Sequence, residues 1–110
     1  IMVAGSIVNA DANVGRGVIL NTGCSVDHDC HLADFVHVSP GAHLAGAVRV
    51  GARSWIGIGA TVLEQVRIGD DVIVGAGAVV IHDVPDGARV GGVPARPLYD
   101  KNTAAAVPDT

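Results

Sequence analysis

Histidine is the residue of this 110-residue chain with the most chemistry to offer. There are five, against two cysteines and eleven acidic residues. His28 stands between Asp27 and Asp29, His31, His37 and His43 follow one another at intervals of six, and His82 lies apart. An imidazole can move a proton near neutral pH or ligate a metal, so both chemistries are open. Cys24 and Cys30 are too few for a disulfide framework. What these side chains do depends on the elements that hold them, and the interval of six is the clue.

Cut into sixes from Ile1, the chain carries a large aliphatic at the second place fourteen times in succession, from Met2, Val8 and Val14 to Ile68, Val74 and Val80. The sixth place is small or β-branched throughout, as in Ala12, Cys24, Cys30, Ser54, Ala78 and Val84. It lies two residues before the next aliphatic, so both project to one side of a strand. On this pattern Cys24 and Cys30 are inward fillers, buried and inert. The third place is rich in Gly, Asn and Asp, including Asn9, Gly15, Asn21, Asp27 and Gly57, types that tolerate positive φ. Each hexad is therefore a short strand and a corner.

Composition agrees with a lattice of stacked aliphatics. The chain is 49% hydrophobic but only 3% aromatic, with Phe35, Trp55 and Tyr99 as its aromatic residues. Its length suits one domain. A formal charge of -4 with scattered basic residues gives no footprint for nucleic acid. The sequence has neither an apolar run of bilayer length nor a signal-peptide pattern, so a soluble, cytoplasmic protein without a membrane partner is expected.

This pattern resembles the hexapeptide-repeat family over residues 1 to about 90. The resemblance implies an all-β fold, a left-handed parallel β-helix in which three hexads close one triangular coil and residues 18 apart stack. Fourteen hexads make between four and five coils. The expected helix spans residues 1–96, and residues 97–110 form a loosely ordered tail.

Written as stacked columns, one corner reads Ala10, His28, Gly46, Glu64, His82, and a second reads Ala4, Thr22, Pro40, Ile58, Ala76, Pro94. The third reads Arg16, Asp34, Ala52, Asp70, Ala88. The third is charged and suits solvent; the second is apolar and suits a ligand or another subunit. In the first, the side chain disappears at Gly46, opening a gap beside the His28 imidazole where a reactive group could lie against backbone. An ordinary turn glycine near a surface histidine fits the same spacing. His31, His37 and His43 fall on three different faces, which argues against a metal site within one chain.

The stretch from Asn21 through Asp27-His28-Asp29 to Gly46, with Trp55-Ile56-Gly57-Ile58-Gly59 and Gly91-Gly92-Val93-Pro94-Ala95-Arg96, is similar to sugar acetyltransferases. These are the UDP-4-amino-sugar (bacillosamine-type) and perosamine N-acetyltransferases and the sialic acid O-acetyltransferases. The resemblance implies that His28 is the general base and that Asp29 raises its basicity, with Asp27 competing for that part. It implies that His37, Ile58 and Ala76 contact acetyl-CoA and that Asn21 lies near the catalytic histidine on the acceptor side; Pro94, one coil beyond Ala76 in the apolar column, would then meet the nucleotide end. The Gly46 N–H would then donate to the oxyanion of a direct transfer that needs no metal. The implied assembly is a homotrimer with acetyl-CoA and a sugar acceptor bound between subunits.

The family's amino-terminal domain for the nucleotide sugar has no counterpart in these residues, so the expectation is the catalytic helix alone, a fragment or a stand-alone relative. Two alternatives accompany it. One is a metal-dependent enzyme of the carbonic-anhydrase type, with His31, His37 and His43 converging on zinc across subunits. The other is a non-catalytic trimeric module; an ice-binding face is excluded because Ser25, His43, Thr61 and Val79 are no threonine array.

Overall fold

The computed structural model describes residues 7–8 and 11–98. The hexad expected to open the helix at Ile1, with Ala4, Asn9 and Ala10, and the tail from Tyr99 onward lie outside the described residues.

From β1 to β13, the first two places of each hexad form a two-residue strand. Sheet I holds β1 (Ile7–Val8), β4 (Ser25–Val26), β7 (His43–Leu44), β10 (Thr61–Val62) and β13 (Val79–Val80). Sheet II holds β2 (Asn13–Val14), β5 (His31–Leu32), β8 (Arg49–Val50) and β11 (Arg67–Ile68). Sheet III holds β3 (Ile19–Leu20), β6 (His37–Val38), β9 (Trp55–Ile56), β12 (Ile73–Val74), β14 (Arg89–Gly91) and β15 (Arg96–Pro97). Every pair but the last is parallel, and residues 18 apart are partners, as in Ser25↔His43 and Thr61↔Val79. The result is a left-handed β-helix of about four coils.

The alternation of places explains the interior. Second-place residues from Leu20 to Val80 are buried, as are the sixth-place residues from Val18 to Ala78 between them. Each fully buried aliphatic contributes roughly 1.5–3 kcal/mol. Ser54 is the polar filler: its hydroxyl donates to Gly69 O at 2.6 Å and accepts from Val72 N–H at 3.0 Å, so its burial leaves no unmet group. Cys24 and Cys30 are buried free thiols, and burial pushes both pKa values up. That keeps them protonated and inert, as inward fillers should be.

The turn conformation sits elsewhere than the third place. The left-handed residues occupy the fifth: Asp29, Phe35, Ala47, Arg53, Gln65 and Asp71, at φ between 55° and 63°, alongside Gly23, Gly41, Gly59 and Gly77. For a residue with a side chain this costs about 1–2 kcal/mol, offset here by the coils above and below. The third-place glycines serve close approach instead. A Cβ on Gly57 would lie 2.5 Å from Val74 O and 2.7 Å from Ala76 N, in the next coil.

Among the described residues the regular interval breaks once. Ile68 bridges to Val84, and Ile73 pairs with Arg89, so the last coil advances by 16 residues rather than 18. Val84 therefore does not hold a sixth place, and Asp86 rather than Ala88 stands over Asp70, whose N–H it accepts at 2.8 Å. The same shift removes Pro94 from the column above Ala76. Residues 92–95 form a turn from which β15 runs back antiparallel along β14, with Val90 opposite Pro97.

Candidate active site

Three corners join the sheets. The one between sheets I and II carries His28. The left-handed backbone at Asp29 bends the chain just after the histidine, so two consecutive side chains face each other. His28 Nδ1 and Asp29 Oδ2 are 3.3 Å apart. Asp27 acts on the backbone instead: its Oδ1 accepts the His28 N–H at 2.8 Å. The two aspartates thus divide the work, one orienting the ring and the other the peptide. With Nδ1–H donating to Asp29, the lone pair of the neutral imidazole is on Nε2, where it can accept a proton.

Gly46 lies one coil on. The space its missing side chain frees is taken by the His28 ring itself: a Cβ at Gly46 would lie 2.7 Å from Cε1 and 2.9 Å from Nε2. The expected gap is therefore a seat for the imidazole. Gly46 is buried, its carbonyl accepts the Gln65 N–H at 3.0 Å, and its own N–H meets no acceptor among the described residues. A buried donor of that kind is uncommon.

The second group of expected residues gathers on sheet III and at its corner with sheet I. A cleft of about 400 Å³ is lined by His37, Trp55, Ile58, Ile73 and Ala76, among others. His37 and Trp55 are register partners on neighbouring strands, and their rings stack at 4.0 Å with planes 6° apart. Burial lowers the His37 pKa from its ordinary value of 6.5. The N–H groups of Ile58 and Ala76 meet no acceptor among the described residues. Asn21, expected near His28, belongs here: its Nδ2 is 3.1 Å from His37 Nε2. Pro94 is exposed in the turn 92–95. His28 and the cleft flank opposite edges of sheet I, so one chain holds both groups of residues without joining them.

Residues 47–82 match the bacterial transferase hexapeptide family (six repeats). A perosamine N-acetyltransferase variant from Caulobacter crescentus, solved with CoA and GDP-perosamine, is 48% identical with a TM-score of 0.87, over 88% of this chain and 46% of that one. The acetyltransferase domain of PglB from Neisseria gonorrhoeae, solved with acetyl coenzyme A, is 43% identical with a TM-score of 0.80, over 88% and 56%. A serine acetyltransferase from Neisseria gonorrhoeae is 32% identical with a TM-score of 0.81, over 86% and 42%. The chain is a hexapeptide-repeat protein. It spans about half the length of these solved relatives.

Within this hexapeptide-repeat helix the remaining histidines stay apart. His31 is on sheet II, 3.3 Å from Asn13, and His43 is on sheet I, 2.6 Å from the Ser25 hydroxyl. His37 is on sheet III, so the three look outward from three faces. Trp55, which the sequence shows only within the Trp55-Ile56-Gly57-Ile58-Gly59 match and not as a site residue, joins the cleft. Its signal was present: it stands 18 residues after His37 at the same place of the hexad.

Proposed function

We propose that the chain catalyses acetyl transfer from acetyl-CoA to an amino or hydroxyl group of a sugar, the acceptor being a nucleotide-linked sugar. His28 Nε2 takes the proton of the acceptor as its nitrogen or oxygen attacks the thioester carbonyl. The Gly46 N–H donates to the oxyanion that forms. Collapse of the tetrahedral intermediate breaks the C–S bond, and the imidazolium returns its proton to the departing CoA sulfur. Asp29 holds the ring in the tautomer this requires. Asp27 holds the peptide that carries the ring.

The observation that carries this reading is the imidazole seated over a glycine whose N–H has no acceptor among the described residues, in a chain closely similar to proteins solved with CoA or acetyl-CoA. The acyl donor lies in the sheet III cleft against His37, Ile58 and Ala76. A homotrimer with sheet I facing the threefold axis brings the His28 corner of one chain to the cleft corner of the next. Sheet I suits burial there: Ser25, His43, Thr61 and Val79 face outward on it, continued by the exposed Leu63 and Ile81, and none is an acid, lysine or arginine.

Acetyl-CoA should bind the purified protein in a calorimeter. His28→Ala should lower transfer to a sugar acceptor by about 10²–10⁴-fold, the usual worth of a positioned base, with the oligomer unchanged by light scattering. A protein that fails to bind acetyl-CoA would instead be a non-catalytic module.

A further inference from the structure

We infer that Asn21 is a positioning residue: its side-chain amide fixes His37 as the neutral tautomer with the proton on Nδ1, making the ring a hydrogen-bond donor to a carbonyl in the cleft. The inference rests on the acyl-donor reading of that cleft.

The geometry leaves the imidazole few choices. Trp55 covers one flat face at 4.0 Å, nearly parallel, so the ring can make hydrogen bonds only along its edge. At that edge Nε2 meets Asn21 Nδ2 at 3.1 Å. An amide NH₂ only donates, so Nε2 is the acceptor and carries no proton. A neutral imidazole then has its hydrogen on Nδ1. Burial, which lowers the His37 pKa, favours the same uncharged form.

The surroundings say what such a donor is for. The cleft wall is apolar at Pro40, Trp55, Ile58 and Ile73, and among the described residues no acidic or basic side chain other than His37 lines it. The N–H groups of Ile58 and Ala76 have no acceptor among the described residues. The cleft therefore offers an apolar wall with spaced donors. That is complementary to an uncharged, extended arm bearing carbonyl oxygens, an arm of amides ending in a thioester. With the proton on Nε2 instead, His37 would set a lone pair against such a carbonyl.

Imidazole ¹⁵N NMR of the intact free protein near pH 7.5 tests this, with the His37 signals assigned by their loss in His37→Gln. The expected spectrum has a protonated Nδ1 and an unprotonated Nε2. A protonated Nε2, or an imidazolium, overturns the inference. Asn21→Asp exchanges the amide donor for a carboxylate acceptor and should move the proton to Nε2. The KM for acetyl-CoA should then rise about tenfold, the worth of one hydrogen bond, with kcat nearly unchanged. A moved proton with an unchanged KM also overturns the inference. Asn21→Ala, which keeps no partner for Nε2, should give a mixture of tautomers and a smaller rise in KM. If wild-type protein shows no acetyl-CoA binding, the transferase reading falls on that result, while the spectrum still decides whether Asn21 sets the tautomer.

Discussion

Two corners of the prism share one backbone and differ in what caps it. Between sheets II and III, the fifth-place N–H donates to the fourth-place carbonyl of the coil before: Phe35 N–H to Arg16 O at 2.8 Å, Asp71 N–H to Ala52 O at 2.9 Å. Between sheets I and II the bonds are the same: Ala47 N–H to His28 O at 2.9 Å, Gln65 N–H to Gly46 O at 3.0 Å. The fourth-place N–H groups part company. In the first of these corners Asp34, Asp70 and Asp86 each accept the N–H one coil back, from Arg16, Ala52 and Asp70, at 2.8 Å. In the second, the residue placed to do so for Gly46 is Glu64, and no such bond forms among the described residues. A repeated carboxylate makes one corner structural. Its absence leaves the other with a backbone donor that no described residue occupies.

The largest effect should follow from converting the open corner into the capped one. Glu64→Asp puts the shorter carboxylate where Asp34 and Asp70 stand, one coil beyond Gly46, and should occupy the Gly46 N–H. Losing an oxyanion donor costs about 10²–10³-fold in kcat. Hydrogen exchange at the Gly46 amide should slow in the same variant. Exchange that slows while kcat holds would remove Gly46 from the proposed chemistry.

The converse substitution is smaller and falls on stability. Asp70→Ala uncovers the Ala52 N–H, much as removing a helix N-cap does, and should lower stability by about 1 kcal/mol. Transfer activity should not change, since Asp70 belongs to neither half-site. The midpoint of denaturant unfolding reads the first outcome and a transfer assay the second. If activity fell with stability, the two corners would be coupled rather than independent.

Much of this contrast was legible in the sequence, and the exceptions have physical causes. The aliphatic and small-residue places predict the interior because strand alternation leaves them nowhere else to go. His28 over Gly46 follows from the same interval, although the ring's occupation of the glycine's space does not. The left-handed fifth place was hidden because Phe35, Ala47, Arg53 and Gln65 give no local signal for it; stacked coils impose the conformation against propensity. The shortened last coil was hidden because Val84 satisfies either a second or a sixth place. The Asn21–His37 bond joins residues 16 apart, diagonally across coils, so a column of residues 18 apart does not contain it.

The capped corner should also be the more sensitive of the two to acid. Arg53 Nε and Nη2 donate to the two carboxylate oxygens of Asp71 at 2.8 and 3.0 Å, and this pairing holds the Asp71 pKa below its ordinary 3.8. A carboxyl more acidic in the folded chain than in the unfolded one adds stability that is fully present above the unfolded pKa. That stability is lost as pH falls from there through the folded pKa, because the unfolded chain then binds the extra proton. Both side chains are solvent-exposed, so the effect is small and screened by salt. Melting curves of wild type and Asp71→Asn should differ slightly at pH 6 and low ionic strength, and the difference should shrink as pH is lowered past 3.8. Salt added at pH 6 should shrink it too. A difference independent of both pH and salt would mean that Asp71 matters for the shape of its turn, at φ 55°, and not for its charge.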